Sequence, residues 1–502
     1  MSDQILILLN ERSRTDFLDE LEPLITSFSN HSLLLYFTPS SPEIEMGIPF
    51  PFRQFPSPYA GKIHVLNSGI SIDEFNITLL LNLSGQDILD EQLRNIPEIK
   101  SDFFSQLYMQ YCPAIIHGII RQHNQCNFEV TLRDEKNDLY QLTKGSFKLL
   151  NYDYKKALAL IFLGNVHLLA DGLKRYFKNS KGSLIEKTSS TETIDSAKLH
   201  LLKRRLNQNK FKHRIRQLFY NDKWNIGIID APIEEVALQK GKNWEVKWFE
   251  EANESQFNAD PFGCEIDGNQ LVFFENYVDE KGNISSKINN DEIKLQLDLP
   301  VHLSYPYTLF HEGRWYCLPE KSTSNKLELF QIHPTTHRLE DPIEILTDFK
   351  AVDPSLILLD DKWYLFCTDA SDKGADVRLH IFIADSLTGP YLPHQKNPVK
   401  TDIASARCGG KIFVHNRFLY RPSQDSSKTY GGEIVINRID LLSENDFSET
   451  EVNRISPAHL QGKYSKGCHT ISSLGNRTLV DGKREIFSFR NFFQKFRKKQ
   501  NA

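Results

Sequence analysis

The sequence lacks any cysteine pair spaced for a metal knuckle or a redox motif. Its seven cysteines (Cys112, Cys126, Cys264, Cys317, Cys367, Cys408 and Cys468) are odd in number, scattered, and without a C-x-x-C, so they read as reduced thiols buried as small hydrophobes. No apolar run reaches the length of a transmembrane helix. The short run in "MSDQILILLNERSR" follows an acidic start and is wrongly flanked for an export signal, so the expectation is a cytoplasmic protein. Charge of one sign is also missing: a net −5 over 502 residues gives no global attraction to nucleic acid, and none is expected as a partner. No G-x-G-x-x-G or Walker loop follows an N-terminal strand candidate, which leaves a dinucleotide or ATP site without local support. No cofactor and no metal is expected.

What is present is an ordinary globular composition, 40% hydrophobic and 25% charged, with length for two or three domains. Short apolar runs at 4–10 ("QILILLN"), 32–38 ("SLLLYFT"), 62–67 ("KIHVLN") and 77–83 ("ITLLLNL"), with helical stretches near 15–28 and 87–96, predict a parallel α/β domain over 1–178. A basic helical linker, 179–222, follows. From Ser196 to Tyr220 there is no acidic residue, while Lys198, Lys203, Arg204, Arg205, Lys210, Lys212, Arg214 and Arg216 are basic. Such a run is either a solvated helix or a contact for phosphate-bearing ligands or anionic lipid.

Beyond Trp224 short strands alternate with Gly, Asp and Asn turns. With Pro261, Pro306, Pro354, Gly409 and His469 as anchors, a polar turn starts six positions after each: "DGNQ", "EGRW", "DDKW", "HNRF" and "GNRT". Hydrophobic strands follow each turn. Anchor spacings of 45, 48, 55 and 60 residues fit four-stranded propeller blades and predict an all-β five-bladed β-propeller over 223–486. In such a fold the strand starts converge on one axis and can build a single site.

The residues at those starts are Asp260, Tyr305, Asp353, Arg407 and His469; Glu275, Glu320, Asp369 and the pair Gln424-Asp425 close the hairpins. Two carboxylates held at one axis can divide acid, base or nucleophile work on a sugar. Arg407 and Arg421 add forks that match phosphate or carboxylate oxygens. Blander roles stand beside these: an Asp before Pro is a common turn starter, His469 also suits a satisfied core histidine, and Arg421 and Asp425 can tie blades together as a pair.

Together "DAPIEE", "ADPFG", "HLSYPY", "VDPSLILLDDKWYLF", "IADSLTGPYLPH", "YRPSQDSSKTYGGEIVINRI", "CHTISS" and "VDGKRE" resemble the N-terminal propeller of plant glucosamine inositolphosphorylceramide transferases, over about residues 224 to 486. The resemblance implies a five-bladed propeller similar to family-43 glycoside hydrolases, in which Asp260 and Asp353 match the base and the pKa-setting acid. The general acid of those hydrolases, in a Glu-Gly-Pro motif, is replaced here by Thr388-Gly389-Pro390, with Glu320 and Glu433 as substitutes. The site expected on this basis has Asp260, Asp353 and Glu320 as catalytic groups, with Tyr305, Asp369, Arg407, Arg421, Gln424, Asp425, Glu433 and His469 binding substrate. The N-terminal domain resembles a degenerate formyltransferase through its α/β pattern, "NFEVTLRD" and "LLADGLKRYF"; of the Asn-His-Asp set that formyl transfer uses, His117 is the one candidate.

The expected function is an enzyme of cell-surface glycan or glycolipid biosynthesis, glycosyltransferase-like, using an activated sugar donor and a glycan or lipid-linked acceptor. A divergent glycoside hydrolase and a non-catalytic glycan-binding scaffold are the alternatives. The tail, 487–502, places Phe489, Phe492, Phe493 and Phe496 at helical intervals among Arg490, Lys495, Arg497, Lys498 and Lys499. That is the pattern of an interfacial helix on an anionic membrane surface, here the inner membrane, or of a helix packed on a core.

Overall fold

The structure is a computed structural model that describes residues 4–10, 32–38, 63–66, 77–83, 93, 96–107, 112–178, 182–185, 194–253, 256–289, 292–321, 323–371 and 374–488. The expected tail helix lies outside the described residues, as do the expected helix at 15–28 and nearly all of that at 87–96. The chain divides into two compact units, Met1–Phe211 and Lys212–Ala502.

The first unit carries an eight-stranded sheet. Its spatial order is Ile63–Leu66, Ser32–Thr38, Gln4–Asn10, Ile77–Asn82, Glu98–Ser101, Gln125–Arg133, Leu139–Lys148 and Ser183–Leu184. The first five strands run parallel, and the remainder pair antiparallel. Continuous apolar runs such as "ILILL" suit parallel strands covered on both faces, and Ile5, Ile7, Leu80 and Leu81 are fully buried. The helix Tyr154–Phe177 is capped by Asp153, whose side chain accepts the Lys156 N–H, and Lys174 and Arg175 complement the dipole in its last turn. Its 24 residues are long and apolar enough to cross a membrane, which corrects the expectation that no stretch is. With 56% of its most apolar window buried, and Leu158, Ile161, Leu169 and Leu173 inside, it packs as a core helix. His117 sits half-buried on the helix Pro113–Arg121.

The second unit is built from five antiparallel sheets. Sheet I holds Phe257–Ile266, Asn269–Val278, Lys281–Ile288 and Lys294–Leu297. Sheet II holds Ser304–His311, Arg314–Glu320, Lys326–Ile332 and Leu339–Thr347. Sheet III holds Ala351–Leu359, Lys362–Asp369, Arg378–Ala384 and Leu392–Pro393, with Lys400–Thr401 as a fifth strand. Sheet IV holds Phe413–His415, Phe418–Asp425, Glu433–Leu442 and Phe447–Ile455. Sheet V joins both ends of the unit, in the order Lys247–Trp248, Tyr220–Ile229, Arg477–Phe487 and Ile471–Leu474. The helix Ser196–Phe219, inside the expected linker, runs across the division between the units and leads directly into the Tyr220 strand.

Each sheet has a two-residue hairpin at the turn marked in the sequence, since Ile266 pairs with Asn269, His311 with Arg314, Leu359 with Lys362, His415 with Phe418 and Leu474 with Arg477. Both loop residues have positive φ at Asp267-Gly268, Glu312-Gly313, Asp360-Asp361 and Asn416-Arg417, the turn geometry whose twist matches paired strands. Apolar residues fill the space between sheets, among them Tyr307, Leu318, Leu356, Phe366, Ile381 and Leu419. All seven cysteines are buried and unpaired with one another.

Candidate functional site

In three of the five sheets the first strand of the marked hairpin begins in the same irregular way. The ladder slips between Ala259 and Phe262, between Ser304 and Tyr307, and between Val352 and Ser355. Inside each slip a residue preceding proline takes a left-handed backbone: φ is 51° at Asp260, 46° at Tyr305 and 49° at Asp353. Proline disfavours helical backbone in the residue before it, and a left-handed non-glycine residue costs about 1–3 kcal/mol. Such bulges re-aim a side chain that regular pleating would place elsewhere.

Asp260 is aimed at the start of sheet V. Its Oδ1 accepts the Thr470 hydroxyl at 2.6 Å and lies 3.4 Å from His469 Nε2. The other imidazole nitrogen, Nδ1, is 2.5 Å from Asp481 Oδ2. Asp481 Oδ1 accepts the backbone N–H groups of His469 (2.8 Å) and Thr470 (3.1 Å), and Oδ2 accepts that of Asp260 (3.3 Å). Trp224 lies against the imidazole with ring centroids 4.1 Å apart. The close approach requires glycine at 431, where φ is 57° and a Cβ would stand 2.6 Å from Trp224 and 2.9 Å from His469 Cβ.

Burial pushes the Asp260 carboxyl up to about 6, with the nearby Asp353 and Asp481 adding to the rise and His469 opposing it. For His469 burial acts downward, but the carboxylates of Asp481 and Asp260 outweigh it and hold the imidazole above its ordinary value. Donor atoms of Asp260, His469 and Asp481 lie within 4.8 Å of one another, close enough to share a cation. Asp481 Oδ2 stands against Nδ1 without a well-aligned hydrogen bond, while Asp260 Oδ1 faces Nε2 at 3.4 Å.

Asp353 is aimed at the segment before sheet IV. Arg407 donates to it through Nε (2.6 Å) and Nη2 (3.4 Å), and Gln424 Nε2 donates at 2.6 Å. Its own N–H donates to Glu320 Oε2 at 2.9 Å. Arg407 reaches on to Asp376 (3.0 Å) and to the Tyr430 hydroxyl (3.3 Å). Burial, opposed by Arg407 and reinforced by Glu320, brings the Asp353 carboxyl to about 7. Glu275, 3.3 Å from His302, is driven well up by burial and then by the charges of Asp260, Glu320, Asp353 and Asp481. Five buried carboxylates therefore act on one neighbourhood, with Arg407 and His469 as the cations in direct contact.

Asp260, Asp353, Glu320, Arg407, Gln424 and His469 are thus brought together, and other expected members are not. Tyr305 occupies the equivalent bulge but is fully buried; its hydroxyl accepts the Gly410 N–H at 2.7 Å and meets Ser355 Oγ at 3.0 Å. These contacts make it a tie between the starts of sheets II, III and IV. Arg421 does not pair with Asp425. Fully buried, it donates to both oxygens of Glu449 (2.6 and 2.9 Å) and to the carbonyls of Ser405 and Ala406, because burying a guanidinium requires a full set of acceptors. Asp425 instead accepts from Arg454 at 2.6 Å, with Glu433 3.7 Å from the same guanidinium. Asp369 faces Arg378 at 3.4 Å and caps the Ser371 N–H.

Asp481, Asp376, Tyr430 and Trp224 were not singled out from the sequence. Asp481 carries a usable signal: it is an acid in the middle of the strand "TLVDGKRE", where a buried strand has no use for an unpaired carboxylate.

Residues 246–484 match the family model described as "Glucosamine inositolphosphorylceramide transferase 1, N-terminal". Curated relatives are described as "Glucosamine inositolphosphorylceramide transferase 1". The protein of Oryza sativa subsp. japonica is 33% identical over 213 residues, 40% of this chain and 28% of the relative; that of Arabidopsis thaliana is 30% identical over 226 residues, 42% and 29%. The matched segment thus spans under a third of those plant proteins. Similar solved structures include a thermostable family-43 glycoside hydrolase (13% identity, TM-score 0.33, 41% of this chain and 81% of that one). Another is an α-L-arabinofuranosidase from Podospora anserina (11%, TM-score 0.35, 49% and 86%).

Proposed function

We propose that the second unit is a closed five-bladed propeller serving cell-surface glycan or glycolipid biosynthesis, and that the acids at its strand starts form a glycosyl-transfer site. The observation that carries this is the pair of aspartates on matching pre-proline bulges, aimed at partners of different kind: Asp260 at the imidazole of His469, Asp353 at the guanidinium of Arg407. Both carboxyls lie near neutrality, where a group that must give and take a proton works best. In the reaction the bond from the anomeric carbon to the leaving group breaks and one to the acceptor oxygen forms. The acceptor's proton passes to Asp260, while Asp353, with Glu320 at its N–H and Arg407 across it, holds the charge balance of the site. The names of the plant relatives support a glycolipid as acceptor.

One observation favours hydrolysis as a second reading. The two arginines expected to take the phosphate of an activated donor are each committed to carboxylates, Arg407 to Asp353 and Asp376, Arg421 to Glu449. A site of this make-up suits sugar hydroxyls, and water can take the acceptor's place at Asp260.

The purified full chain, incubated with sugar nucleotides and glycolipid or oligosaccharide acceptors and followed by mass spectrometry, separates the readings. Transfer predicts a glycosylated acceptor that Asp260→Asn fails to make. Free sugar released from oligosaccharide alone establishes hydrolysis, and saturable sugar binding without turnover establishes a scaffold. Neither product nor binding overturns the site.

A further inference from the structure

We propose that the helix Ser196–Phe219 is a docking face for an anionic lipid bilayer. Its purpose rests on the glycolipid reading above, since a lipid-embedded acceptor has to be met at a surface. Over its 24 residues the helix carries no acidic side chain. Arg216 is spent on Asp222 (3.3 Å) and Glu485 (2.7 Å). Lys203, Arg204, Arg205, Lys210, Lys212 and Arg214 meet no carboxylate among the described residues.

The helix also has a defined inner and outer side. Inward are the buried Leu202 and Asn209, whose side chain donates to the Asn151 carbonyl at 2.9 Å. Outward are Leu201, Phe211 and Ile215, exposed to 39, 66 and 39%. At 3.6 residues per turn these three fall within an arc of about 80° that also holds Arg204. Lys212 and Arg205 flank the arc on one side, and Arg214, Lys203 and Lys210 on the other. An exposed apolar strip edged by cations on both sides is the pattern of a helix lying in a membrane interface. A nucleic-acid backbone has no use for the three apolar side chains between the cations. Near an anionic leaflet each such cation adds attraction to the surface charge.

The path of the chain adds to this. Phe487 stacks on Phe219 with centroids 5.7 Å apart, and the Ser488 N–H donates to the Phe219 carbonyl at 2.8 Å. The last described residues therefore lie beside the C-terminal end of the basic helix.

Co-sedimentation of the full chain with phosphatidylcholine vesicles, with and without phosphatidylserine, tests the docking face. Binding is expected with the anionic vesicles only and is lost in high salt. It falls at least tenfold in the triple variant Lys210→Glu/Lys212→Glu/Arg214→Glu and in Phe211→Ser/Ile215→Ser, while a chain ending at Ser488 still binds. Unchanged thermal unfolding of the variants shows that the fold is kept. Full binding by both variants, loss of all binding on removing the tail alone, equal binding to neutral vesicles, or preferential capture of an oligonucleotide over anionic vesicles overturns the proposal. Because the readout is sedimentation and not transfer, a failure of the glycosyl-transfer reading leaves this result interpretable, and the reverse also holds.

Discussion

Asp260 and Asp353 hold the same backbone, φ 51° and 49°, each in a ladder slip immediately before a proline, in two copies of one hairpin design with the Tyr305 copy between them. Two acids placed by the same local device, yet given different partners, lead to predictions that distinguish chemistry from architecture.

The second unit is expected to lose stability as pH rises from 5 to 8. An acid whose pKa is raised by folding stabilises the fold below its unfolded value and loses that contribution as pH climbs through the folded one. Asp260 (3.8 to about 6) and Asp353 (3.8 to about 7) both behave this way. His469, raised above 6.5, contributes below its unfolded value and also loses its share on the way up, so the signs agree. A fall in melting temperature of roughly 5 °C across that window is expected, with a shallower slope in Asp260→Asn. A melting temperature that rises with pH would contradict the buried-acid cluster.

Asp353→Asn is expected to slow glycan formation sharply, since it removes the charge beside Asp260 that helps hold that carboxyl up for proton transfer. It also breaks a buried ion pair from one side, at about 3–5 kcal/mol. Adding Arg407→Met should return part of the stability and none of the activity. Activity near normal, with a loss of only about 1 kcal/mol, is the outcome for a simple turn cap.

Asp481→Asn tests whether this buried acid orients His469. Nitrogen-15 NMR of the imidazole is expected to show a lower pKa and a changed tautomer, with the pH profile of the reaction shifted alongside. A residue that merely stitches strands would lower the melting temperature and leave the imidazole spectrum unmoved.

Tyr305→Phe strips the hydroxyl from the Gly410 N–H and should cost about 1–3 kcal/mol in denaturant unfolding. Sugar binding by the folded variant is expected to be unchanged. Weaker binding at equal stability would return Tyr305 to the site.

The repeats were legible because each hairpin needs two loop residues of positive φ, which confines the choice to Gly, Asp, Asn and few others. The prolines chosen as anchors turned out to mark the bulges themselves. What could not be read were pairings across sheets, which local spacing does not encode. Arg421 and Asp425, four positions apart at the end of one strand, looked like partners, yet Arg421 pairs with Glu449 and Asp425 with Arg454. Tyr305 shared the anchor pattern of Asp260 and Asp353, and only the 105 residues separating it from Gly410 decide that it closes the interior. Asp481 lies in a strand whose local spacing marks only a hairpin, and its importance appears once that strand is set against His469 and Asp260.

Sheet V pairs the strand Tyr220–Ile229 with Arg477–Phe487 over ten register positions, Phe487 opposite Tyr220. Sheet V is therefore complete only when both ends of the second unit are in place. A circular permutant of the second unit, with 220 and 487 joined and new ends opened at the Asp360-Asp361 turn, is expected to keep the pairing of sheet V, whereas in the natural order the Tyr220–Ile229 strand leaves the ribosome long before its partner exists. Until Arg477–Phe487 arrives, that strand has one apolar edge without its partner.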